Sequence, residues 1–132
     1  MRYLKDYKLF ESSIGELELE IKDILRDVSD SGHRLDITIH EFSDYDRLDV
    51  FITFLDESGN QSSVNLKEYS GSIGHLISQL EYEDWKVSSS WMILDNAVGK
   101  PSVFKLGRAV ELKLDERTYN VKRIELRFDK FK

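Results

Sequence analysis

The sequence predicts a single α+β domain over residues 1–132, in the order αβββ-αβββ, with two helices packed on a mainly antiparallel sheet. Three observations predict it. Residues 47–55, RLDVFITFL, alternate strictly, so Leu48, Val50, Ile52 and Phe54 share one face of a strand. Two other stretches, residues 14–28 and 73–80, carry their apolar residues at three- and four-residue spacing, which is the stripe of a half-buried helix. Clusters of Ser, Asp, Gly and Asn separate these runs.

Residues 1–11 read as an extended lead. Ser13 and Glu16 have capping-box spacing. Ile14, Leu17, Ile21, Ile24, Leu25 and Val28 follow as one stripe from which only Leu19 departs. GELELEIK within 15–28 also alternates as a strand would, but the stripe continues to Val28 after the alternation fails at Ile24 and Leu25, which favours helix. Gly32 suits a left-handed stop.

Leu35, Ile37 and Ile39 alternate as a half-buried strand, and Ser43-Asp44-Tyr45-Asp46 turns the chain into 47–55, expected as the central strand with its second face partly covered. Asp56 to Asn60 is a hairpin turn with Gly59 at positive φ, and Val64 and Leu66 give a third antiparallel strand. The second helix carries Ile73, Leu76, Ile77 and Leu80. Trp85 to Leu94 reads as a strand with room for a bulge at Ser88-Ser89-Ser90. A loop at 95–101, a strand at 103–114 broken near Gly107, a turn at 115–118 and a last strand at 119–128 complete the chain. Repetition of the order predicts a pseudo-twofold sheet.

Composition limits function. There is no cysteine, so disulfides, thiol nucleophiles and zinc-thiolate sites are excluded and a reducing, cytoplasmic setting is expected. The first residues, MRYLKDYKLF, lack the apolar stretch of a signal peptide, and no apolar run approaches the length of a membrane span. Phosphate-loop and dinucleotide glycine motifs are absent, and His33, His40 and His75 have neither metal-ligand spacing nor a hydrolase signature, so no cofactor or metal is expected. Asp44, Asp46 and Asp49 lack the glycine and glutamate of a calcium loop, since Asp49 and Leu55 stand in those places. One fragment has the makings of a metal-dependent nuclease, in which Asp95 and Glu111 would hold Mg²⁺ and Lys113 would face the phosphate. Cross-strand ion pairing among Glu111, Lys113, Arg123, Glu125 and Arg127 explains the same residues more simply.

Charge is more informative. The net charge is −6, but residues 1–97 hold nine Lys/Arg against twenty Asp/Glu, whereas residues 98–132 hold ten against five. An acidic body with a basic C-terminal hairpin disfavours direct nucleic-acid binding and favours a basic protein partner. Glu81, Glu83 and Asp84 end the second helix, where carboxylates oppose the helix dipole. With Asp36, Glu41, Asp44, Asp46 and Asp49 they form the expected partner-binding set, anchored by Tyr45 and Tyr82, while Trp85 and Trp91 are expected in the core. The resulting expectation is a small non-enzymatic binding protein, an inhibitor of the immunity-protein type that occludes a basic site on a toxin or nucleic-acid-handling enzyme. A structural or oligomer-forming protein pairing through an exposed edge, taken to be the last strand, is the further alternative.

Overall fold

The computed structural model describes residues 15–94, 102–105 and 120–132. The readings made on 1–14, on the loop at 95–101 and on 106–119 lie outside the described residues. The fold is α+β with a mainly antiparallel sheet.

Residues 15–24 form helix α1. After one irregular residue, Leu25, the chain continues as α2 (Arg26–Asp30). The helical stripe therefore prevails over the alternation: Ile21, Leu25 and Val28 are fully buried, and Leu19 is 67% exposed. The stop is a Schellman motif. Gly32 takes φ +86°, its N–H donates to the Ser29 carbonyl, and the His33 N–H donates to Val28.

Strands β1 (Arg34–Glu41) and β2 (Tyr45–Thr53) form a hairpin paired from Arg34↔Thr53 to Glu41↔Asp46. Leu48, Val50, Ile52 and Phe54 are all fully buried, and the opposite face is partly covered, as the alternation requires. Past β2, Asp56 Oδ1 accepts the N–H groups of Ser58 and Asn60, and Gly59 stands at φ +82°. β3 (Val64–Asn65) is short. A single 3₁₀ turn (Leu66–Glu68), capped by the Asn65 side chain, leads into α3 (Ser70–Tyr82). Its four stripe residues are all buried. β4 (Lys86–Leu94), β5 (Ser102–Lys105) and β6 (Asn120–Phe131) follow.

Among the described residues all pairings are antiparallel and the order is β1-β2-β6-β4-β5, with β3 also on β6. Three expectations are corrected here. The hub is β6 and not β2, because the twelve-residue strand is long enough to take β2 and then β3 on one edge and β4 on the other. The last strand is therefore interior and offers no edge. β3 does not extend a β1-β2 meander, and β4 pairs β6 where β1 does not pair β3, so the sheet is not pseudo-twofold. The bulge expected among the serines occurs as a register shift between Val87 and Ser89.

Both helical segments cover one face. Ser72 Oγ donates to Asp27 Oδ2 at 2.7 Å near the start of α3, and Glu83 at its end neighbours Glu20 of α1, so α1–α2 and α3 run antiparallel. Trp85 is buried with this core, but Trp91 is 39% exposed on the open face, where the strand's alternation puts it. Among the described residues no helix is long and apolar enough to cross a membrane.

Candidate partner-binding surface

The sheet register brings the two groups of predicted site residues to one end of the molecule. Tyr45 pairs with Phe131 and Lys86 with Asp129. The β1–β2 turn and the α3–β4 turn therefore flank the C-terminal residues of β6. From the hairpin come Glu41, Phe42, Asp44 and Tyr45; from the helix end come Glu81, Tyr82 and Asp84.

Aromatic packing stiffens the hairpin side. Phe42 stacks on Tyr45 at 4.8 Å between ring centroids, and Tyr45 leans on Phe131 at 5.9 Å. The Arg47 guanidinium lies 5.8 Å and 5.4 Å from the Phe42 and Tyr45 centroids, held by Asp129 at 3.0 Å. Its pKa rises further as a result, chiefly through the hydrogen bond to Asp129. Exposed rings project outward: Tyr82 is 84% exposed, Phe131 68% and Phe42 42%.

Two of the nearby cations, Lys132 and Lys130, have contacts of their own. Lys132 Nζ donates to the Phe42 carbonyl at 2.9 Å and lies 3.3 Å from Asp46 Oδ1, a buried oxygen that it neutralises without meeting hydrogen-bond geometry. Lys130 sits over the Trp85 ring, and Lys86 stands opposite Asp129. Glu41, Asp44, Glu81 and Asp84 are exposed, and none has an ion-pair partner among the described residues.

The other predicted acids serve the fold. Asp36 pairs with Arg34 at 3.1 Å, and Asp49, nearly buried on the open face, takes Arg127 at 2.8 Å and His40 at 3.5 Å. Glu83 has a buried Oε2 without a hydrogen-bond partner. Burial pushes its pKa up, Glu20 beside it adds to the rise, and Lys130 opposes it. Arg123 and Arg127 of the basic C-terminal segment lie inside the sheet, where Arg123 meets Glu125 at 3.0 Å and Arg127 meets Asp49 at 2.8 Å. Asp95, Glu111 and Lys113 lie outside the described residues. Among the described residues no cluster of three or more His, Cys, Asp or Glu side chains could hold a metal ion.

Asp84 is the one non-glycine residue at positive φ among the described residues. It stands at φ +70° in the glycine position of a second Schellman motif, with its own N–H on the Glu81 carbonyl and the Trp85 N–H on Leu80. The last turn of α3 contains no basic residue. The site thus keeps an exposed carboxylate where both backbone conformation and helix dipole disfavour it. No family model, curated protein or solved structure matches the chain.

Sequence reading missed Phe42 and Phe131. Phe42 follows the last alternating pair of β1, and Phe131 falls three residues past the expected end of β6. It also passed over His33. The Leu55 N–H donates to His33 Nδ1 at 3.0 Å, so Nε2 carries the proton and donates to the Tyr69 hydroxyl at 3.1 Å. Phe54 and Tyr69 meet the ring edge-on. Burial lowers the His33 pKa below its ordinary 6.5, with Glu68 opposing. Below pH 6.5 the unfolded chain binds a proton that the native imidazole refuses, so this contribution is full above pH 6.5 and is lost as pH falls. Urea midpoints measured from pH 7.5 down to about 5 should fall for the wild type and fall less for His33→Phe. Parallel profiles for the two proteins would contradict this role.

Proposed function

We propose that this protein is a small acidic, non-enzymatic binding protein, an inhibitor of the immunity type, that occludes a basic site on a partner protein with the hairpin end of its sheet. Exposed Tyr82, Phe42 and Phe131 supply apolar anchors, and Glu41, Asp44, Glu81 and Asp84 supply charge to meet Lys and Arg of the partner. The observation that carries the reading is the backbone of Asp84. A positive-φ carboxylate at a helix C-terminus costs stability twice, and recognition of a cation is a physical reason to keep it.

The test uses the partner captured from the source cell by the immobilised chain, then purified. Association should slow markedly between low and high salt. Asp84→Gly should stabilise the chain by about 0.5–1 kcal/mol in urea titrations while weakening the complex. Charge reversal by Glu81→Lys with Asp84→Lys should abolish capture. Salt-independent association, or unchanged capture by the charge-reversed chain, refutes the mechanism.

A further inference from the structure

β1 closes one side of the sheet, and among the described residues it is paired with β2 alone. The Phe42 N–H donates to the Tyr45 carbonyl, which sets the phase of the β1–β2 ladder. Even-numbered residues of β1 exchange bonds with β2, and odd-numbered ones turn N–H and C=O to the free edge. The odd residues Leu35, Ile37 and Ile39 place half-buried side chains on the helix side of the sheet. Arg34, Asp36 and Glu41 put charge on this edge, but other usual protections are missing. The strand contains no Pro and no Lys, and it pairs eight for eight with β2 without a bulge. Among the described residues the opposite side of the sheet ends at β5, of four residues.

We propose that a second copy of the chain pairs here, β1 against β1 and antiparallel, about a twofold axis through Thr38, making one continuous sheet across a homodimer. The occupant follows from self-complementarity. Only registers that set odd residues against odd residues align the outward backbone groups and keep the apolar side chains on the helix face. Centring on Thr38 places Ile37 against the second copy's Ile39, Asp36 against its His40 and Leu35 against its Glu41, each contact occurring twice. Centring on Ile37 instead would set Arg34 against His40, a pairing with no attraction. An open groove of about 710 Å³ between α1–α2 and β1 is lined by Leu19, Leu35, Lys22, Arg26, Asp23 and Asp30. Arg26 is paired with Asp23 at 2.7 Å and Lys22 lies 4.0 Å from Glu18 along the same helix, so these groove charges bring little net charge to a second copy. Leu19, exposed at the groove, gains cover in the dimer.

Sedimentation of the full chain should give a concentration-dependent mass rising from 15.5 kDa to twice that value. Ile37→Pro removes an N–H that the β1–β2 ladder does not use, so the variant should keep the wild-type circular dichroism and be monomeric. Asp36→Lys should weaken the dimer roughly tenfold through two cross-strand pairs. A wild type that stays at the monomer mass, or a folded Ile37→Pro chain that dimerises as tightly as the wild type, overturns the proposal. Should Ile37→Pro fail to fold, Asp36→Lys decides: a dimer weakened about tenfold supports the Thr38-centred pairing, and an unchanged one overturns it.

Discussion

Truncating Phe128 to alanine is expected to destabilise the protein by about 3–5 kcal/mol. The side chain is fully buried in β6, between Leu48 of β2 and Val87 of β4 in the ladder. Losing the ring removes a large apolar surface from the one strand that joins the two sides of the sheet, and leaves a cavity that neighbours held by two ladders cannot close. A domain of this size has about 5–15 kcal/mol of net stability, so roughly a fifth or more of it would disappear. Phe131→Ala, in the same strand but largely exposed, should change stability by less than about 0.5 kcal/mol. Urea midpoints with unchanged slopes check both. A Phe128→Ala loss below about 1 kcal/mol would be incompatible with β6 as the hub.

The contrast between those two residues also marks what was legible in the sequence. Alternation and helical spacing are local properties, so the buried faces of β2 and α3 could be read residue by residue. Strand adjacency is not local. Nothing in residues 120–131 tells whether they border the sheet or run through its middle, because an interior antiparallel strand with one open face alternates as an edge strand does. For the same reason Trp91 could not be assigned to the open face without the phase of its strand. The candidate surface was half legible: carboxylates at a helix end stand out against the dipole rule, but their meeting with Glu41 and Asp44 depends on Tyr45↔Phe131 and Lys86↔Asp129. Dihedral cost was invisible too, since Glu-Asp-Trp does not announce a left-handed residue as a glycine would.

Removing the Arg127 side chain with Arg127→Ala should cost about 2–3 kcal/mol, toward the lower side of what breaking a buried ion pair costs, because Arg127 is 41% exposed and water screens part of its charge. Asp49, only 9% exposed, would be left with His40 alone beside it. Replacing both residues, Arg127→Leu with Asp49→Val, should recover most of the loss, since an apolar pair of similar volume needs no compensation. A double-mutant cycle in urea measures the coupling. Failure of the double variant to recover stability would mean that the pair contributes more than its own desolvation cost. What the pair supplies beyond energy is alignment. Arg47 meets Asp129, and Asp49 meets Arg127, across the β2–β6 ladder. Slipping β6 by two residues in one direction sets Arg127 against Arg47 and Glu125 against Asp49; the other direction sets Asp129 against Asp49. Both slips keep every apolar side chain on the core face, so burial alone does not forbid them. Like charges in direct opposition do, which gives the open face its alternating arginines and carboxylates.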